Sequence, residues 1–251
     1  MIREILRHTG HRPWPLPKGP WVIAQTWHDL LFAHWPLPPE LLRPLVPRQL
    51  ELDIFEGQAW VGVVPFRISA MRPRLLPPVP GLSYFPELNV RTYVKARPPQ
   101  LPKPGVYFFS LDAGKRIPAA LGRQFFRLNY FHARMRMENL TGKTRYECHR
   151  RDSGTPAEFE ASYGPTGPVF RSVPGSLEHW LTERYSLHTV HRDRTYICEI
   201  HHLPWPLQAA EAEIHNNTMA RAAGIELPVS KPLLHYARHL EVATWPLRRE
   251  G

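Results

Sequence analysis

The sequence predicts one mainly β domain of antiparallel strands with only a few helices, and three observations predict it. Short runs with strand-like alternation recur along the chain, separated by turns that draw on 29 prolines and 15 glycines. Stretches with helical spacing are few and short. Neither an internal repeat nor a flexible linker divides the 251 residues, a length that all-β folds commonly use as one unit. The expected organisation is a single domain over 1–251, with residues 1–20 forming a proline-rich arm.

The elements follow in order. WHDLLFAHW (27–35) and PPELLRPLV (38–46) read as two short helices, the second opened by Pro38 and Pro39 and stopped before Pro47. Strands are expected at 49–55 and 58–70, and the loop RPRLLPPVPG comes after them. YFPELNVRTYVK (84–95) is the next strand, turned back by RPPQLPKPG into GVYFFSLDAG (105–114) as a hairpin. IPAALGRQFF (117–126) is a helix. YFHARMRME and TRYECHRR flank NLTG, a hairpin turn in which Gly142 supplies positive φ. AEFEASYG is a strand, SLEHWLTERY a helix capped by Ser176, and RTYICEIHHL, AEAEIHNN and LLHYARHLEVATWPL are the closing strands.

Within 84–95 the alternation sorts Leu88, Val90, Thr92 and Val94 onto one face, and Glu87, Asn89, Arg91 and Tyr93 onto the other. The polar row has two readings: a wetted outer face, the common fate of one side of an antiparallel strand, or the lining of an internal cavity. If it is internal, each charge must be paired or hydrogen-bonded, because an isolated buried charge costs several kcal/mol. Glu87 and Arg91 lie about 13 Å apart along an extended strand. Direct pairing is not expected, and the two would address opposite ends of a ligand or separate partners.

Composition narrows the function classes. The net charge is +10, but only six of the 32 basic residues are lysine, and the 26 arginines are scattered without a dense block or a recognisable nucleic-acid-binding module. No partner nucleic acid is expected. No run of about 18 apolar residues exists, and the N-terminal stretch lacks an apolar signal core, so the expectation is a cytoplasmic protein with no membrane partner. Cys148 and Cys198 lie in strand-like runs without metal or redox spacing and read as reduced packing residues. No metal site is expected: His201 and His202 point to opposite faces of a strand, and His28 and His34 are badly spaced for one helix face. No cofactor signature stands out, since the glycines have neither Walker nor Rossmann spacing and no G-x-S-x-G is present.

Three segments carry a resemblance. LRPLVPRQLELD (42–53), the aromatic-Pro-Glu of Phe85–Glu87 and FSLDAGKRIPAALGRQFFRLNY (109–130) resemble stretches of acetoacetate decarboxylase. More closely, WHDLLFAHWP, FPELNVRTYV, FFSLDA and GSLEHWLTERY resemble the uncharacterised YqjF-like family of that superfamily, over about residues 20–247. The resemblance implies a closed or nearly closed antiparallel β-barrel with helices outside, a small-molecule cavity inside and a homo-oligomeric assembly of at least two subunits. It also implies that Glu87 matches an active-site glutamate, so that the face shared with Asn89, Arg91 and Tyr93 points inward.

The resemblance breaks at the nucleophile. The decarboxylase uses a lysine that forms a Schiff base with its ketone substrate, and alignment of its G-R-E helix on Gly122, Arg123 and Gln124 puts the lysine pair at Tyr130 and Phe131. The active-site arginine falls near His28, and a second acidic position falls in the apolar WVGVVPF. Lys95 and Lys115 are the lysines near these segments. The ligand-binding set implied is therefore Glu87, Asn89, Arg91, Tyr130, His28 and Arg123, with catalytic residues open. Two functions follow: a binding barrel for a small carboxylate or carbonyl compound, or an enzyme using Glu87 or Tyr130 as acid or base without an imine.

Overall fold

The computed structural model describes residues 2–97, 103–152 and 155–250. Thirteen strands join into one sheet: β1 (Ile23–Leu37), β2 (Leu50–Leu52), β3 (Ala59–Pro73), β4 (Phe85–Ala96), β5 (Gly105–Ala113), β6 (Tyr130–Leu140), β7 (Lys143–Arg150), β8 (Glu158–Pro165), β9 (Ser186–His191), β10 (Arg194–His201), β11 (Leu207–Asn217), β12 (Leu233–Thr244) and β13 (Arg248–Arg249). The helices are short: α1 (Ile2–Ile5), α2 (Pro39–Leu42), α3 (Arg116–Phe126) and α4 (Leu177–Thr182). No helix among the described residues is long and apolar enough to cross a membrane.

The sheet closes on itself twice. One circuit of pairings runs β1–β3–β4–β5–β6–β7–β8–β11–β12 and back to β1, a closed nine-strand barrel. A second runs β1–β3–β4–β5–β9–β10–β12, a seven-strand ring. The two share a wall of five strands, β12, β1, β3, β4 and β5. Most pairings are antiparallel, but β5 meets both β6 and β9 in parallel.

This shared wall explains the one element read wrongly. Residues 27–35 form part of the 15-residue strand β1, not a helix. A strand between two interiors is buried on both sides, and it loses the alternation that marks a half-wetted strand. Leu31, Ala33 and Trp35 face the nine-strand interior, while Leu30 and Phe32 face the seven-strand one. β3 divides likewise, with Val61 and Val63 on one side and Val64, Phe66 and Ile68 on the other. β9, unforeseen, completes the smaller ring. Most of the turn expected between β4 and β5 lies outside the described residues.

The nine-strand interior holds the larger core, in which Leu88 and Val90 pack with Tyr146, Phe159 and Tyr163. Val94 packs instead with Val46 and Leu50. A buried ion pair lies on the same side: Arg150 donates two 2.7 Å hydrogen bonds to Asp112 and stacks over Phe131. Ser176 caps α4 by accepting from the His179 amide, as expected. The proline-rich arm folds onto its own chain, where Trp14 Nε1 donates to buried Glu199 at 2.7 Å and Lys103 and Arg248 converge on the same carboxylate.

Candidate ligand site

Register aligns the polar row with its neighbours. On β3, Gly62, Val64 and Phe66 stand opposite Arg91, Asn89 and Glu87, and on β1, His34 stands opposite Gly62. These residues share the face lined by Phe32, Val64, Phe66 and Tyr93, which is the interior of the seven-strand ring. The row is not wetted: Glu87 and Asn89 are 4% exposed, Tyr93 is fully buried and Arg91 is half-buried. Gly62 makes the arrangement fit, because a Cβ there would come within 3.0 Å of the His34 ring and 3.5 Å of Arg91 Cγ.

At one end of the row, Tyr130 donates a 3.0 Å hydrogen bond to Glu87 Oε2. Tyr130 sits beneath α3 in a space that only glycine leaves open, since a Cβ on Gly122 would lie 2.4 Å from its ring. Burial pushes the Glu87 carboxyl up to about 8; the Tyr130 bond opposes the rise and the nearby Asp112 adds to it. Glu87 is therefore a neutral acid at pH 7, able to donate as well as accept. Burial and Glu87 together raise Tyr130 well above the ordinary phenol range.

Arg91 and His34 hold the other end. The Arg91 guanidinium lies 5.2 Å over Phe32 and donates long, 3.4 Å bonds to Tyr93 Oη and to the Leu181 carbonyl of α4. It makes no ion pair among the described residues, and its buried Nε has no hydrogen-bond partner among them. His34 Nε2 is 2.6 Å from Tyr93 Oη, and its Nδ1 is buried and unpartnered, as is Asn89 Oδ1. Burial, then Arg91, then His235 hold His34 well below the ordinary histidine value. Beside this group Arg184 is paired with Asp53 at 2.6 Å and sandwiched between Tyr93 and Trp180. Buried polar groups are nearly always hydrogen-bonded. Arg91 Nε, His34 Nδ1 and Asn89 Oδ1 are three of eleven buried side-chain atoms without a partner among the described residues, and they lie on neighbouring side chains.

Four of the six expected residues, Glu87, Asn89, Arg91 and Tyr130, share this interior. His28 and Arg123 do not join them. His28 is half-buried, bonded through Nε2 to Ser69 Oγ at 2.6 Å and packed edge-on against His239. Arg123 lies on the exposed face of α3, where it donates to the Tyr130 carbonyl and pairs with Asp152. His34, Tyr93 and the Arg184–Asp53 pair escaped the site set. Read as a strand, 27–35 would have put His34 on the Phe32 face, but its place opposite Gly62 and Arg91 needs the register. Two surface clefts, of about 680 Å³ beside Arg43 and Arg97 and about 590 Å³ beside Trp35 and β11, lie elsewhere and hold no orphaned buried group. Among the described residues no cluster of His, Cys, Asp or Glu is arranged to hold a metal ion.

This double circuit with its internal polar row is an acetoacetate decarboxylase-like fold. An acetoacetate decarboxylase-like enzyme from Sphingomonas wittichii RW1 superimposes with a TM-score of 0.61 at 12% identity, covering 96% of this chain and 97% of that one. The enduracididine biosynthesis enzyme MppR complexed with pyruvate gives 0.57 at 12% identity, covering 96% and 93%. The chain belongs to the DUF2071 family, described as an uncharacterized conserved protein, whose model matches residues 24–241. It is 49% identical over 234 residues to the uncharacterized protein YqjF of Bacillus subtilis (strain 168), spanning 93% of this chain and 95% of that protein.

Proposed function

We propose that the protein binds a small carboxylate or carbonyl compound inside the seven-strand ring, anchored by Arg91 with Asn89, Glu87 and Tyr130 around it. The observation that carries this reading is Arg91: a half-buried cation without a carboxylate partner among the described residues and with an orphaned Nε. A carboxylate would satisfy both its charge and its hydrogen-bonding capacity. MppR, which shares the fold, is described with pyruvate bound, and that supports a small oxo acid as the first compound to try.

The site works in this reading without a Schiff base. Lys18, Lys115 and Lys231 are exposed, and Lys95, Lys103 and Lys143 have Glu51, Glu199 and Glu211 as their ion-pair partners. A catalytic reading rests on a separate feature, the buried Glu87 carboxyl hydrogen-bonded to Tyr130 at 3.0 Å and pushed up to about 8 by burial. Such an acid would donate a hydrogen bond to a bound carbonyl oxygen and favour enolisation, dehydration or an aldol-type step without an imine. The working environment is cytoplasmic, the partner a small molecule rather than nucleic acid or a membrane, and the assembly a homo-oligomer of at least two subunits.

Calorimetric titration with pyruvate and acetoacetate tests the binding reading. Saturable binding to wild type that disappears in Arg91→Ala is the expected result. Equal binding by the two proteins, or none to wild type, would overturn it. Mass spectrometry of the incubated acids then separates binding from turnover.

A further inference from the structure

We infer that His34 is the second hydrogen-bond donor of the anion site, presenting Nδ1–H beside Arg91, and that Tyr93 is the positioning residue that fixes this tautomer. This rests on the proposed binding of a carboxylate at Arg91. The argument begins at Tyr93 Oη, which lies 3.4 Å from Arg91 Nη2 and 2.6 Å from His34 Nε2. A guanidinium can only donate, so it occupies an acceptor position of the phenol and leaves the phenol's own proton for its other neighbour. That neighbour is Nε2. A neutral imidazole has one protonated nitrogen, so when Nε2 accepts from Tyr93 the proton sits on Nδ1.

Nδ1 is the orphan. The ring is fully buried, stacked on Phe32 with centroids 5.7 Å apart and planes 14° apart, and wedged against Gly62. A core histidine kept only for packing would normally satisfy both nitrogens. Here one nitrogen is held by a short bond to Tyr93 and the other is left as a donor, on the face that also carries the orphaned Arg91 Nε.

The surroundings keep the ring neutral. From β4 the facing groups are Arg91 and Tyr93; β3 offers only Gly62. From β12 comes His235, itself held low by burial with Glu178 of α4 opposing. Arg184, following α4, has Asp53 as its ion-pair partner through Nη1, while its Nη2 is buried without a hydrogen-bond partner among the described residues. Arg91 and Nδ1–H would thus supply two donors to one carboxylate, one charged and one neutral.

The test reads the ring directly. In the free protein, nitrogen-15 NMR of the His34 imidazole should give a protonated Nδ1 and an acceptor Nε2, and saturating pyruvate should shift the Nδ1 proton. His34→Leu should weaken pyruvate binding about tenfold or more, the loss expected for a hydrogen bond to a charged group. Tyr93→Phe removes a single oxygen and spares the packing; it should release the tautomer preference and weaken binding about threefold. A protonated Nε2 in the free protein would overturn the inference. So would pyruvate binding that survives His34→Leu but not Arg91→Ala, an outcome that leaves the binding reading intact. Absence of pyruvate binding to wild type would sink both.

Discussion

Glu87→Gln isolates the energetic consequence of burying an acid beside a phenol. The Glu87 carboxyl is held at about 8 against an ordinary 4.5, chiefly by burial. The unfolded chain therefore releases this proton near pH 4.5, whereas the folded protein holds it until about pH 8. A pKa raised on folding contributes stability that is complete below the unfolded value and is lost as pH rises through the folded one. Across that window the loss is about 1.4 kcal/mol per pH unit, so wild type should lose about 2–3 kcal/mol between pH 5 and pH 7 and level off near 5 kcal/mol above pH 8. Glutamine has nearly the same shape, still accepts from Tyr130 and has no proton to lose. Urea unfolding followed by tryptophan fluorescence from pH 5 to pH 9 should give a difference between variant and wild type that grows with pH in the variant's favour. Parallel stability curves would refute a buried, neutral Glu87, and with it the role of Glu87 as an acid.

Four further outcomes are expected. Arg91→Ala should cost about 1–3 kcal/mol of stability or of ligand binding, whereas Arg97→Ala, at an exposed residue just after β4, should change thermal stability by less than about 0.5 kcal/mol; equal effects in a melting assay would count against a special role for Arg91. Borohydride reduction with acetoacetate or pyruvate should leave no covalent adduct by mass spectrometry, and a stoichiometric lysine adduct would restore the Schiff-base mechanism. Gly122→Ala forces a methyl into the Tyr130 ring and should destabilise by about 1–3 kcal/mol. The same substitution should also shift the pH dependence attributed to Glu87, which tests whether the α3–Tyr130 contact governs that acid. Light scattering at micromolar concentration should report at least a dimer, with the exposed stripe Ile117, Leu121 and Phe125 on α3 as the apolar surface to be covered; a monomer would remove the assembly from the proposal.

Elements that carry a local turn, cap or alternation signal were legible in the sequence, even where both faces are buried. The hairpin of β6 and β7, the Ser176-capped helix and the two-faced strand β4 carry local signals: a Gly142 turn, a cap, strict alternation. β1 carries the opposite, an apolar run whose both sides are core, and with it His34 vanished from the site. Glu87, Asn89 and Arg91 were legible because alternation binds them to one face. Tyr130 was reached only through the family resemblance, and Gly62 and Leu181 were not reached at all, because these partners come from distant segments that only the closed rings bring together. In the arm no local signal announces that Trp14 reaches Glu199, 185 residues away.

The two faces of the shared wall differ in how completely their buried acids and guanidinium groups are matched. On the nine-strand side the chain satisfies comparable groups: Tyr146 Oη donates to the Glu87 carbonyl at 2.8 Å, Tyr163 Oη to the Asp29 carbonyl at 2.9 Å, and Tyr236 Oη to Asp29 Oδ1 at 2.6 Å. Asp112, raised by burial as Glu87 is, receives a two-pronged bond from Arg150 that draws it back down. Glu87 receives only a phenol, and the arginine on its own strand lies about 13 Å away by strand rise. A fold that can match one buried acid with a guanidinium leaves the other acid neutral and the second guanidinium without a carboxylate, within a single interior. Burying such groups uncompensated costs stability, so the arrangement makes physical sense when a carboxylate brought from outside completes Arg91 and its other polar end meets the Glu87–Tyr130 pair.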